Sequence, residues 1–181
     1  KDIWSSNEVF TVDLYLYNYG PMYKGEIPWS FAGQSGVVTT EGATGSLVKV
    51  ETLTFPLNKL PVPSRQVLTF GKNRWNIWVY PDGVETPIPD GVVYATDVET
   101  ALGAARVGQS VLFNASDAGN PKKLIHSSFK PVYWSTTWFP GQRATTLGML
   151  IQEKSAAFQA FPTEDWQDWQ WYYLVNRGKT F

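Results

Sequence analysis

Residues 8 to 17, Glu-Val-Phe-Thr-Val-Asp-Leu-Tyr-Leu-Tyr, are dense in β-branched and aromatic side chains. That pattern predicts a β-strand, and Asn18-Tyr19-Gly20-Pro21 behind it predicts a turn. Shorter runs of the same kind occur at 26 to 31, where Ile27, Trp29 and Phe31 alternate, and at 47 to 55, 66 to 70 and 75 to 80. Gly- or Pro-containing turns separate them at Gly33 to Gly36, Gly42 to Gly45 and Pro56 to Pro63. Short strands at close spacing with turn chemistry between them predict an all-β sandwich for residues 1 to 83.

The pattern changes after Pro81-Asp82-Gly83-Val84-Glu85-Thr86-Pro87-Ile88-Pro89-Asp90-Gly91, a stretch with three prolines and two Asp-Gly pairs. It marks the best domain boundary, so that residues 84 to 181 form the second domain. There Val92 to Ala95 reads as a buried strand, Asp97 as a helix N-cap, Val98 to Val107 as a short helix, Gly108 as its stop, and Ser110 to Phe113 as a second buried strand. Strand, helix and strand in this order, with a short crossover, predict a small α/β unit containing a parallel pair. Thr146 to Ile151 is a third strand candidate. Ser155 to Phe161 is expected to be helical, as is a segment capped by Thr163 with Glu164 and Asp165 in its first turn.

Composition narrows the chemistry. The 181 residues contain no Cys and one His, which excludes a disulfide framework, a thiol nucleophile and zinc sites built on thiolates or several histidines. Fifteen basic and sixteen acidic residues balance, with no basic run, so neither nucleic acid nor an anionic membrane is an expected partner. No apolar stretch reaches the length of a membrane span, and the start at Lys1 has no initiator Met or signal-peptide core. The chain therefore reads as a mature or excised piece of something longer. No cofactor or metal is expected.

Two small motifs invite catalytic readings, and a third invites a modification. Asn7-Glu8 resembles the acid-bearing dipeptide of retaining glycosidases, but this Glu opens a strand and the chain is too short for an eight-stranded barrel. The reading preferred for Glu8 is an exposed strand-start carboxylate. His126 lies near Ser127 and Ser128, yet no Gly-x-Ser-x-Gly elbow exists, so an ordinary loop histidine is expected. Asn114-Ala115-Ser116 is a formal glycosylation sequon placed directly after a predicted buried strand.

The aromatic residues change the picture most. Five of the nine Trp fall between Trp134 and Trp171, among them Trp134 and Trp138 beside Tyr133 and Phe139, and Trp166, Trp169 and Trp171 within Phe161 to Tyr173. An indole face beside carboxylates and amides suits a sugar, since the ring stacks on C–H bonds while polar groups bind hydroxyls. Trp134, Trp138, Glu164, Trp166, Asp168 and Trp169 are therefore candidate carbohydrate contacts. Trp166, Trp169 and Tyr173, three and four residues apart, also fit the buried stripe of an amphipathic helix, and core or interdomain packing is the preferred reading of the two.

Asn7 to Gly20, Asn76-Ile77-Trp78-Val79-Tyr80-Pro81, and Phe161-Pro162-Thr163-Glu164 with Asp168-Trp169-Gln170-Trp171 together resemble the region following the catalytic barrel in β-galactosidase-like enzymes of glycoside hydrolase family 2. The resemblance spans most of the chain, but none of these motifs is catalytic. It implies an immunoglobulin-like β-sandwich over 1 to 83 and a small α/β unit after it, acting as a non-catalytic C-terminal accessory region of a carbohydrate-degrading parent. The other domains of that parent are then the expected partners, and a periplasmic or secreted location is favoured. The barrel and its two glutamates have no counterpart here, so no catalytic residue is carried over. A carbohydrate-binding module that holds glycan through surface Trp residues is the alternative.

Overall fold

A computed structural model describes residues 1–83, 85, 87–114, 124–129, 137–141 and 145–180. The chain is mainly β, with mixed sheets, and divides into two compact units. One unit comprises residues 1–83 with 154–163, and the other residues 84–153 with 164–181.

In the first unit, strands β1 (Ile3–Ser5), β2 (Val9–Tyr17), β3 (Tyr23–Phe31), β4 (Gln34–Gly42), β5 (Leu47–Pro56), β6 (Ser64–Phe70) and β7 (Asn73–Tyr80) form two sheets. The larger has the order β1-β7-β6-β3-β4, with β1 parallel to β7 and the remaining pairs antiparallel; the smaller is β2 against β5. Alternation in β2 places Phe10 and Leu14 inside, while Thr11, Asp13, Tyr15 and Tyr17 face out. Two-residue periodicity is what lets one strand serve a core and water together.

The core between the sheets is built on three phenylalanines. Phe31, 1% exposed, lies 4.5 Å from Phe10 and 5.0 Å from Phe55 between ring centroids. Leu14, Leu53, Leu57, Leu68, Phe70, Ile77 and Val79 complete the cluster. The opposite face of β7 carries Trp78, which is fully buried, and Tyr80, whose ring stacks on Phe161 at 5.3 Å and whose hydroxyl donates to the Pro162 carbonyl at 3.2 Å. Residues 154–163 therefore belong with this unit through an aromatic contact far away in sequence.

Strand β4 is absent from the expectation because the turn read over Gly33 to Gly36 covers its start, although Val37 to Thr40 are all β-branched. It is recruited by pairing. A two-residue turn at Ala32 (φ 51°) and Gly33 (φ 76°) joins Phe31 to Gln34, and nine register pairs follow from Tyr23–Gly42 to Phe31–Gln34. Both central residues at positive φ give the turn the twist that a tight hairpin needs.

In the second unit, β8 (Val92–Ala95) and β9 (Ser110–Phe113) pair in parallel, and α1 (Val98–Arg106) lies between them in the chain. The Asp97 carboxylate caps α1 by accepting the Thr100 backbone N–H at 2.8 Å. That bond holds the carboxyl below the ordinary aspartate range. A short β10 (Ile125–His126) pairs antiparallel with β11 (Lys179–Thr180).

Three expectations are corrected in the two C-terminal stretches. Thr146 to Ile151 forms no strand; it contributes a single antiparallel bridge, Leu150 to Trp166. Ser155 caps one 3-10 turn at Ala156–Phe158 in place of a longer helix. No helix starts at Thr163: Asp168 caps a 3-10 turn at Trp169–Trp171, which runs into α2 (Tyr172–Arg177). The bridge is the physical reason, because Ile151 N–H donates to the Asp165 carbonyl at 2.8 Å and Gln167 N–H to the Met149 carbonyl at 3.2 Å. Backbone groups engaged in these crossed bonds are unavailable to a helical first turn.

Candidate functional site

The C-terminal aromatic residues are held by the same crossed segment. Residues before and after Trp166 bond to the 149–151 backbone, and the indole lies across Gly148, whose φ of +135° and missing Cβ make room for it. Two residues on, Asp168 accepts the Trp169 N–H on its own Oδ1 at 2.7 Å. This cap turns the chain so that Trp169 enters a different environment from Trp166.

Trp169 packs 5.1 Å from Phe129 and 6.0 Å from Tyr172, and Phe129 meets Tyr172 edge-on at 5.4 Å. Tyr173 stands perpendicular to Tyr172 at 5.3 Å, with the Arg177 guanidinium 5.7 Å above its ring. Cation-over-ring geometry of this kind orders a surface tyrosine. Beneath the cluster Gln167 is buried: its Nε2 donates to the Phe129 carbonyl at 2.7 Å, while its Oε1 has no donor among the described residues. Phe129 is further fixed by its own N–H donating to Asn176 Oδ1 at 3.1 Å.

The candidate residues are thus separated. Trp169 and Asp168 belong to the cluster with Phe129 and Tyr172. Trp166 sits against Gly148, and no ring contact joins it to Trp169 among the described residues. Glu164 is half-buried ahead of the crossed segment, and Trp138 stands 81% exposed in the turn at 137–141. Trp134 lies outside the described residues. The helical stripe of Trp166, Trp169 and Tyr173 does not form, because the helix it presumed begins only at Tyr172. Phe129, Gln167 and Arg177 escaped notice in the sequence. An isolated Phe or Gln has no local signal, and the roles of Phe129 and Gln167 arise from contacts distant in sequence, such as that of Gln167 with Phe129, 38 residues apart.

The carboxylates with resolved shifts are engaged in ordinary surface bonding. Glu8 accepts from Lys1 Nζ and from the Ser5 N–H at 2.7 Å, and Asp13 accepts from Lys49 Nζ at 2.7 Å and Thr52 Oγ1 at 2.6 Å. These bonds hold both carboxyls below their usual range, Glu8 chiefly through Lys1 and Asp13 chiefly through Lys49. A general acid needs the opposite shift. Asn7 donates to Asp82 at 2.7 Å, joining the two ends of the first unit's sequence. The His126 Nδ1 lies 3.2 Å from the Gly178 carbonyl, so that nitrogen carries the hydrogen. Asn114 donates to the Tyr94 hydroxyl at 2.8 Å on an exposed strand end. Among the described residues no group of three or more His, Asp or Glu converges as metal ligands, and no helix is long and apolar enough to cross a membrane.

None of the curated proteins matches the chain. Residues 8–81 match the family model of a domain of unknown function, DUF8488, and residues 92–181 match that of another, DUF8487.

Proposed function

We propose that the chain is a non-catalytic C-terminal accessory region of a family 2 type, β-galactosidase-like glycoside hydrolase, which packs against the parent's other domains and supports its catalytic barrel. In this reading residues 1 to 83 are an immunoglobulin-like sandwich. The order β1-β7-β6-β3-β4 facing β2-β5, with a leading strand parallel to the last one, supports it. Residues 84 to 181 are a small α/β unit, a reading supported by the parallel β8 and β9 with α1 between them in sequence. A periplasmic or secreted parent goes with the same proposal.

The observation that carries the supporting role is the apolar surface of the second unit. Leu147, Leu150, Tyr173 and Leu174 are each more than 60% exposed. Large apolar side chains left exposed on a surface favour a partner that removes them from water, at about 25 cal/mol per Å². The test is the parent enzyme with Tyr173→Ser and Leu174→Ser, and with residues 1–181 deleted. Lower melting temperature and turnover in both support the role; full stability and turnover after deletion contradict it.

One observation favours a second reading, a carbohydrate-binding module: the open indole of Trp138 and the half-exposed indole of Trp169 beside Asp168. Calorimetric titration of the isolated chain with oligosaccharides separates the two, because a binding module binds alone. Trp138→Ala and Trp169→Ala would then abolish binding while the fold persists.

A further inference from the structure

Strand β2 is nine residues long and pairs, among the described residues, with β5 alone. Every second residue of an antiparallel strand directs both N–H and C=O to one side, so half of the β2 backbone groups face away from β5. Along that free edge runs a cleft of about 370 Å³. Its lining shows what shape of ligand it suits. Six consecutive residues, Phe10 to Tyr15, contribute from β2, inward and outward side chains alike. Consecutive residues of a strand can all border one cavity only when the cavity follows the strand's edge.

The other wall is a sheet face. Asn73, Trp75 and Ile77 of β7 alternate along it, with Leu68 and Phe70 of β6 beside them. Trp75 shares the inward face with Ile77, yet it is 44% exposed while Ile77 is 3% exposed. The two-stranded sheet stops short of covering it. One backbone edge able to hydrogen bond, set beside an apolar face that accepts every second side chain, is the geometry of strand addition. The edge also lacks Pro and inward-pointing charge, two devices by which sheet edges are protected from pairing.

We propose that this cleft binds an extended peptide, which adds to β2 as a third strand and lays apolar side chains at alternate positions on Trp75 and Ile77. Charge selects one feature of the peptide. Asp13 is already paired with Lys49 and Lys1 with Glu8, whereas Asp2, which also lines the cleft, has no ion pair among the described residues. A Lys or Arg at the peptide end beside Asp2 completes the match. This site lies wholly in the first unit and does not depend on the accessory-region reading.

The probe is an acetylated, amidated heptapeptide of sequence Lys-Val-Thr-Val-Thr-Val-Thr, titrated into the full 181-residue chain with amide hydrogen exchange read at residues 10 to 15. Binding is expected to slow exchange of alternate β2 amides at least about ten-fold. N-methylation of the three valines or of the three threonines removes the donors on one peptide edge only, so one set is expected to abolish binding and the other to spare it. Trp75→Ala is expected to weaken binding at least about ten-fold, and Asp2→Asn to remove the preference for the peptide with Lys over one with Glu there. The proposal is overturned if the peptide leaves exchange unchanged, if the β2 edge amides are already protected in the free chain, or if both N-methylated peptides bind alike. It is equally overturned if an oligosaccharide displaces the peptide while the N-methylated sets show no difference. The exchange readout on the unsubstituted chain decides the matter even if Trp75→Ala does not fold.

Discussion

The indole of Trp166 lies across Gly148, so that a Cβ at position 148 would overlap the ring, and Gly148 holds a φ of +135° that other residues rarely adopt. Both facts predict the same outcome. Gly148→Ala should destabilise the second unit by about 1–3 kcal/mol, the usual cost of a backbone held in a disfavoured region. Thermal unfolding followed by Trp fluorescence measures it, and an unchanged midpoint would show that the ring can move aside.

The β3–β4 hairpin offers the converse experiment. Ala32 carries a positive φ of 51° without the freedom of a glycine. Replacing it with Gly or Asn is expected to stabilise the chain by up to about 1 kcal/mol, since a left-handed L-residue costs about that much. At the facing pair Trp29–Gly36, by contrast, a Cβ on Gly36 would come 2.8 Å from the indole Cε2. Gly36→Ala should therefore lower the denaturant midpoint where Ala32→Gly raises it.

Core truncation gives a larger effect. Phe31 touches both Phe10 and Phe55 and is 1% exposed. Phe31→Ala is expected to cost about 3–5 kcal/mol, combining lost transfer energy with a cavity between the sheets. Urea unfolding at an unchanged slope is the measurement.

Acid dependence follows from Glu8, Asp13 and Asp97, all held below their ordinary values of 4.5, 3.8 and 3.8. A group whose folded value is depressed binds more protons when unfolded. Its stabilisation is present above the ordinary value and is lost as pH falls through the folded one. The melting temperature should thus fall below about pH 4.5, less steeply in Asp13→Asn and in Asp97→Asn, and less steeply in high salt because all three groups reach solvent. Lys49, raised by Asp13, adds a loss at the alkaline end, above about pH 10.5.

Gln167 tests how the aromatic cluster is supported. Its Nε2 bond to the Phe129 carbonyl is favourable, while its buried Oε1 lacks a donor among the described residues. Gln167→Met keeps the volume and removes the donorless oxygen but leaves the Phe129 carbonyl without its partner, so it is expected to cost about 1–3 kcal/mol. Gln167→Ala leaves a cavity and an unpaired carbonyl and should cost more, with a shift in Trp169 fluorescence as its signature.

Local pattern by itself determined much of this protein. The density of β-branched and aromatic residues from Glu8 to Tyr17 specifies strand β2, because such side chains fit a pleated, half-buried surface. Asp97 and Gly108 bracket α1 for an equally local reason, a side chain that caps N–H groups at one end and a φ of +79° at the other. What needs a distant partner was decided by tertiary structure. Strand β4 exists because β3 offers it a ladder, and the segment after Thr163 bridges to Leu150 instead of coiling, although its capping residues favour a helix. The separation of Trp166 from Trp169 follows from that bridge. The cleft beside β2 is still less legible, since it arises from a strand that the smaller sheet does not have: a sequence encodes the hydrogen-bonding groups of an edge, but only the assembled sheets show which of them are left without a neighbour.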